Sequence, residues 1–388
     1  MADSFTDSST EGIFTRLKNA LAGLLIGPLL VIAAIILLSW NEGCAVTAIK
    51  GLADAATKVV EVHGGDPAAT NPASTNQDKL VHVIGTANAH GPVADPALGL
   101  GFADQVTVVR EAAMYQWKES RHSKSHTSAG GSKTTTTTYT YAEGWFGTAQ
   151  DSSGFKHPDG HTNPAMPFGS ARFVANDAHL GGYALDAGTL GLIDPPQPLA
   201  PAAPAGWSAN GGNYYNGDPA TPKIGDMRVS YRGLPSGATL SVLADQSGNG
   251  FAPFTTANGY QVQLAELGNR PASVMLADKR SEESMLTWIL RGVGAIAIFV
   301  GLRMFLSPLS TLASVVPFLG GLVGGALGLI ALVITIPLTL IVIALAWIAF
   351  RPLLGGALLL AAAAAFYGLW RLHRSRRPQP TVPPPAPA

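Results

Sequence analysis

His157-Pro-Asp-Gly-His161 sets two imidazoles four residues apart, a spacing at which both could reach one metal ion. The pair stands in a Pro/Gly loop rather than on a helix and has no cysteine partner, so it reads equally as a solvated turn. No metal site is assigned to it. His122 and His126 lie in a polar stretch and read as solvated. Asp226 and Asp245 match a catalytic carboxylate pair in type only, because nothing in the sequence brings them together. Gly248-Asn249-Gly250 reads as a turn. No Gly-x-Ser-x-Gly elbow, phosphate loop or dinucleotide fingerprint occurs between a strand and a helix. The residues therefore point away from an enzyme and imply no cofactor, with a hydrolase built on His157 or His161 as the weakest reading. Cys44 is the single cysteine, so no intrachain disulfide forms. Asn41-Glu42-Gly43 before it lacks the apolar residue of a lipidation box, which leaves an intermolecular disulfide or an idle thiol.

The elements that must carry these residues are set by apolar runs. From Met285 to Trp370 there is no Asp, Glu, Lys or His; the charges are Arg291, Arg303 and Arg351. A bilayer core about 30 Å thick needs about 20 apolar residues as helix. Residues 285–306, 318–350 and 353–370 meet or approach that, the second run carrying Pro337. Residues 20–40 form a fourth run behind Arg16 and Lys18. It reads as an uncleaved anchor rather than a signal peptide, because it is long and no small-x-small cleavage site follows. Trp40 sits where an interfacial aromatic belongs. A content of 47 % hydrophobic against 13 % charged residues agrees with a membrane protein.

Four spans put both termini on one side. The Arg16/Lys18 flank and the basic tail Arg371–Arg377 both favour the cytoplasm. Beside an apolar helix that tail reads as a membrane flank, not a nucleic-acid patch, so no nucleic-acid partner is expected. The expected order is a disordered cytoplasmic tail (residues 1–19), transmembrane helix 1 (20–40) and an exported β-rich domain (41–283) that begins with an amphipathic helix over Ala45–Val62. Helices 2 (285–306), 3 (318–350) and 4 (353–370) follow, then a basic and Pro-rich tail (371–388). The fold class is an α+β membrane protein. Strands are expected at residues 80–86, 106–118, 134–145, 226–231, 239–244 and 260–265. Ser120–Lys133 reads as the loop at the tip of a long hairpin, and Asp194–Pro222 as a long loop. Tyr115, Trp117, Tyr139, Tyr141 and Trp145 read either as core of that hairpin, the default, or as a surface on the bilayer.

Inside the C-terminal bundle, Gly320, Gly324 and Gly328 recur every four residues, and so do Gly321 and Gly325. Such rows let helix backbones approach closely, within one chain or between copies. Arg291 and Arg303 are twelve residues apart, about 18 Å along a helix. They read as residues that snorkel to opposite interfaces, where each could meet a lipid headgroup. No ionisable group stands at mid-span to couple ion transport.

Several segments together resemble one family. They are Asn41-Glu42-Gly43-x-Ala45-Val46, Arg110-Glu111-x-x-Met114-Tyr115-Gln116-Trp117-x-Glu119, Tyr139-x-Tyr141-x-x-x-Trp145, and His161-x-Asn163-Pro164-x-Met166. Gly225-Asp226-x-Arg228-Val229-Ser230, Pro253-Phe254-Thr255-Thr256 and Phe350-Arg351-Pro352-Leu353 complete the set. In order and spacing the chain is similar to the transmembrane protein 43 (LUMA) family, with Cys44 where animal members carry Arg. The resemblance implies four spans around a lumenal or periplasmic domain, self-association and no established enzyme activity. For animal members it implies the endoplasmic reticulum and inner nuclear membrane, and contact with lamina-linked membrane proteins. The Ala- and Gly-heavy composition looks bacterial, which implies an inner membrane with a periplasmic domain.

The sequence thus leads to a non-enzymatic scaffold in the lipid bilayer that forms homo-oligomers and organises other membrane proteins or membrane integrity. The alternative is a lipid- or ligand-binding membrane stress sensor with a pocket near Arg291.

Overall fold

The computed structural model describes residues 3–62, 71–128, 130–316 and 319–350, together with 367 and 371. Its helices are α1 (Ile13–Lys58), the short α2 (Ala187–Gly191), α3 (Ala272–Ala313) and α4 (Leu319–Phe350). α1, α3 and α4 are each long and apolar enough to cross a membrane. The expected fourth span, residues 353–370, lies outside the described residues, as does the tail after it. The chain divides into two compact units. A β-rich unit comprises Met1–Lys18, Thr47–Glu283 and Thr311–Gly320; a helical unit comprises Asn19–Val46, Ser284–Ser310 and Gly321–Ala388.

Two sheets build the β-rich unit. The first, of eight strands, is centred on the long strand Gln105–Thr127. One edge of that strand takes Met227–Pro235, and the other takes the threonine strand Lys133–Phe146. The second sheet is centred on Leu80–Asn88 paired antiparallel with Ala238–Ser247. Alternation decides which faces meet. Val106, Val108, Ala112 and Met114 of the first sheet share one core with Val81, Val83, Leu240 and Val242 of the second. Leu80 and Leu243 point the other way, onto Leu52 and Ala55 of α1 and Met275 and Leu276 of α3. The unit is therefore layered as sheet, sheet and helical ends.

Four expectations change. α1 runs unbroken through Asn41–Cys44, so the anchor and the amphipathic helix are one 46-residue element, ending in a short strand at Val60–Val62. Nothing in Asn41-Glu42-Gly43-Cys44 interrupts intrahelical hydrogen bonding, and Leu52 and Ala55 supply the buried face of the far end. α3 likewise starts at Ala272, well before the apolar run. Asp194–Pro222 holds three short strands, Gln197–Leu199, Ser208–Asn210 and Asn213–Tyr215, in a composition that edge strands tolerate.

The fourth change concerns the polar segments. Residues 1–19 were expected as a disordered tail apart from the outer domain, yet Asp3–Glu11 is a strand paired antiparallel with Lys133–Tyr141 inside the β-rich unit. Ser120–Thr127 is strand as well, paired with Lys133–Thr140. Hydroxyl pairs replace apolar packing here. Ser8 meets Thr136 at 3.3 Å and Thr10 meets Thr134 at 3.0 Å; across the other seam Ser123 meets Thr137 at 3.0 Å and Ser125 meets Thr135 at 2.9 Å. At the hairpin tip the Gly130 N–H donates to the Val315 carbonyl, and Arg16 donates to Ser314 Oγ and the Gly131 carbonyl.

Asp245, on the central strand of the second sheet, has a buried Oδ1 with no hydrogen-bond partner among the described residues. Burial, reinforced by the charge of Asp78, raises its carboxyl above the ordinary range. The folded chain then holds this proton more tightly than the unfolded chain. Stability is lost as pH climbs from the ordinary carboxylate value, about 4, through the raised one, and the loss persists at neutral pH. Asp245→Asn is expected to raise the melting midpoint at neutral pH. The gain should close below about pH 4 in thermal melts run across the pH range.

Candidate functional site

The helical unit concentrates its charge at one place. Glu42 accepts two hydrogen bonds from Arg291, from Nε at 2.6 Å and Nη2 at 2.9 Å. The Glu42 side chain is 2 % exposed and that of Arg291 14 %, so the pair is withdrawn from solvent. A third donor, Trp347 Nε1, reaches Glu42 Oε2 at 2.7 Å. Trp288 lies under the guanidinium, 4.6 Å from its ring centre, and Trp347 lies 5.9 Å away. One turn of α1 thus ties α3 and α4 together. Its neighbours complete the clamp: Asn41 Nδ2 donates to the Thr287 carbonyl at 3.2 Å, and a Cβ at Gly43 would come within 2.9 Å of the Phe350 ring. The Asn-Glu-Gly motif is therefore a helix junction in which each residue has its own task. Arg291, one of the two arginines that could meet a lipid headgroup, has a carboxylate partner in Glu42. Arg303 donates through Nη1 to the Gly324 carbonyl. The sequence reading had missed Glu42 as the counter-ion. The available signal was one acid just past the first span and one arginine early in the second.

The close helix crossing inside this unit uses glycines other than the expected ones. A Cβ on Gly27 would sit 2.5 Å from the Gly301 carbonyl oxygen, and one on Gly301 2.7 Å from the Gly27 carbonyl oxygen. Gly23 lies against Met304, and Gly294 against Leu38. α1 and α3 thus meet backbone to backbone along Gly23, Gly27 and Gly301. Of the two expected rows on α4, Gly328 lies against Arg303, while Gly321, Gly324 and Gly325 have no neighbour within contact of an added Cβ among the described residues. Gly320 belongs to the β-rich unit and packs on Ser314.

In the β-rich unit the family-like motifs prove to be joints of the fold. Arg110 Nη1 pairs with both Asp95 oxygens at 2.6 and 2.7 Å, while its Nε and Nη2 donate to the Gly169 carbonyl. Asp95 also accepts from the Tyr231 hydroxyl at 2.8 Å; burial first, then that carboxylate, push the Tyr231 phenol far above its ordinary value. Met114 is wholly buried in the shared core. Gln116 is buried too. Its Oε1 accepts from Gln150 N at 2.7 Å and its Nε2 donates to the Thr148 carbonyl at 3.2 Å, which pins the loop after the threonine strand. Asn163 docks on Trp117 like a strand, accepting from its N–H at 2.7 Å and donating to its carbonyl at 2.9 Å. Of the five hairpin aromatics only Tyr141 is fully buried; Tyr115, Trp117, Tyr139 and Trp145 remain partly exposed. Tyr115 and Trp145 pair edge to face at 5.4 Å.

The two histidines do not converge. His161 is stacked on Tyr141 at 4.0 Å and turns Nδ1 to the His157 carbonyl at 2.9 Å and Nε2 toward Asp3 at 3.4 Å. His157 stacks on Phe5 at 4.5 Å. Both rings secure the N-terminal strand. Burial, then the hydrogen bond to Glu119, carries the Tyr141 phenol up to about 12. Asp226 accepts from Lys223 N at the start of its strand, whereas Asp245 lies in the second sheet. Among the described residues no group of three or more His, Cys, Asp or Glu could hold a metal ion. Cys44 is exposed on α1.

Comparison with known proteins agrees with this architecture. Residues 114–352 match the family model described as transmembrane protein 43. Transmembrane protein 43 of Rattus norvegicus is 30% identical over 366 residues, covering 90% of this chain and 89% of the relative. That of Homo sapiens is 30% identical over 375 residues, covering 92% and 91%. The transmembrane protein 43 homolog of Drosophila melanogaster is 29% identical over 352 residues, covering 88% and 92%. No solved structure matches. With residues 114–352 matched by the family model and about nine-tenths of the chain covered by relatives at 30% identity, the chain belongs to the transmembrane protein 43 family.

Proposed function

We propose that this membrane protein is a non-enzymatic scaffold that self-associates through α4 and, in assembled form, organises other membrane proteins. One observation carries the reading. The chain closes its own α1–α3 crossing with Gly23, Gly27 and Gly301, and leaves open space beside Gly321, Gly324 and Gly325, where an added Cβ would meet nothing among the described residues. Glycines on a membrane helix favour close approach of a second helix, because packing replaces the hydrophobic force that lipid removes. The rival lipid sensor would need the Arg291 guanidinium to serve a headgroup alongside the two Glu42 oxygens it already engages.

Gly324→Leu is expected to reduce the oligomer to smaller species in native mass spectrometry from detergent. Its melting midpoint should stay at the parent value, because the added side chain meets no described neighbour. An oligomer of unchanged mass rejects the α4 interface. A stoichiometric lipid that co-purifies with the parent and is lost in Arg291→Ala supports the sensor instead.

A further inference from the structure

Three strands of the β-rich unit form an arm with no aliphatic side chain: Asp3–Glu11, Lys133–Tyr141 and residues 119–127 of the long strand. Asp3, Phe5, Asp7, Ser9 and Glu11 share one face with Tyr141, Tyr139, Thr137, Thr135 and Lys133. Ser4, Thr6, Ser8 and Thr10 share the other with Thr140, Thr138, Thr136 and Thr134. Three-stranded sheets ordinarily owe their stability to a hydrophobic face, and here that face is limited to Phe5, Tyr139 and Tyr141 at one end of the arm. Both of its edges are open as well.

The first open edge is the outer side of the N-terminal strand, which pairs only with the threonine strand among the described residues. The second is the outer side of the long strand. Tyr115 bonds there through N–H and carbonyl to Asp226 and Gly225, and Trp117 to Asn163. Every second residue onward, Glu119, Arg121, Ser123, Ser125 and Thr127, offers its backbone groups to that same side. No backbone partner takes them up among the described residues, and residues 120–127 are exposed. Open edges of this length are templates for another strand, and proteins that avoid pairing blunt them with Pro, bulges or charged side chains. Neither segment holds a Pro or a bulge, and the charges on the two edges are mainly of opposite sign.

Charge selects the partner. The N-terminal strand carries Asp3, Asp7 and Glu11 and no base. The long-strand edge carries Arg121 on the same face as those acids and Lys124 on the opposite face, while its single acid, Glu119, already accepts from Tyr141 Oη and Lys156 N. Two copies meeting through like edges set like charges side by side; unlike edges set acid beside base. Both edge strands run antiparallel to the threonine strand and so share one direction, and copies related by a rotation about that direction meet in a parallel seam.

We infer that the arms join copies of this chain edge to edge, the N-terminal strand of one copy pairing with residues 119–127 of the next. The contact is heterologous, so it propagates into a ring or a filament instead of stopping at a dimer. The inference rests on the self-association reading and adds a second interface to the one on α4.

Disulfide trapping tests it. In a Cys44→Ser background, Ser8→Cys is combined in turn with Ser120→Cys, His122→Cys or Lys124→Cys, all on one face of the arm. Within one chain these positions lie two strand spacings apart, about 9.6 Å, beyond the roughly 7 Å that a disulfide can bridge. At least one pair is expected to give a ladder of covalent multimers beyond dimer that reductant collapses. In a pair that cross-links, Arg121→Glu should lower the ladder several-fold, and adding Asp7→Lys with Glu11→Lys should restore it. If no pair cross-links while native mass spectrometry still shows an oligomer, the edge pairing is wrong and the α4 reading stands. If no pair cross-links and the native mass is that of a monomer, both are overturned. A ladder that stops at dimer, or is indifferent to the charge reversals, overturns the unlike-edge pairing.

Discussion

Replacing Arg110 with Met is expected to destabilise the β-rich unit by about 3–5 kcal/mol, the loss seen when one partner of a buried ion pair is removed. Asp95 is fully buried and Arg110 nearly so. After the substitution the Asp95 carboxylate keeps only the Tyr231 hydroxyl and the Ala97 N–H as partners. It then faces Phe168 and Phe173, over whose rings the guanidinium had rested. For a domain of this size the loss corresponds to a fall of roughly 6–20 °C in melting midpoint. Thermal unfolding in detergent provides the measurement, with Arg232→Met as the comparison. Arg232 bridges Glu111 and Asp194 at the surface, and its loss should cost under about 1 kcal/mol. Equal losses in the two variants would refute the weight placed on burial.

Glu42→Ala is expected to cost the helical unit a similar amount, about 3–5 kcal/mol. It strands Arg291 between Trp288 and Trp347 with no carboxylate to meet it. The direction reverses in the double variant Glu42→Leu with Arg291→Leu, which removes both charges and should recover most of the loss. Loss of folded protein in graded SDS added to detergent reads both. A double variant no better than the single one would mean that the junction depends on shape, above all on Gly43 against Phe350, rather than on charge.

What was legible in the sequence follows from the physics of each signal. Apolar runs report a solvent boundary, so 285–306 lies within α3 and the described part of 318–350 is α4. Helix ends beyond the bilayer carry no such signal, so the joining of Ala20–Trp40 to Ala45–Lys58 stayed hidden until Leu52 and Ala55 were seen against the second sheet. Alternating Val, Tyr and Trp marks half-buried strands, hence the success at Val106–Lys118. Ser120–Thr127 and Asp3–Glu11 have no apolar alternation because hydroxyl rows hold them, and composition alone makes them look like loop or tail. For the same reason the basic flank at Arg16 and Lys18, read for a side of the membrane, carried no sign of the strand pairing of the residues before it. Pairings at long range were invisible: neither Glu42 with Arg291 nor Asp95 with Arg110 leaves any trace in local spacing.

The position of the N-terminal strand bears on biosynthesis. Asp3–Glu11 leaves the ribosome well before its partner, which begins at Lys133. At about 5–20 residues per second, the opening segment waits roughly 6–25 seconds for that partner to be made. From the completion of α1 at Lys58 onward that helix is long enough to insert, while nine residues of hydrogen-bonding backbone stay unmatched before it. A nascent chain in this condition is open to capture by a neighbouring polysome product, and a bulky fusion placed ahead of Asp3 would be carried into the same late pairing step.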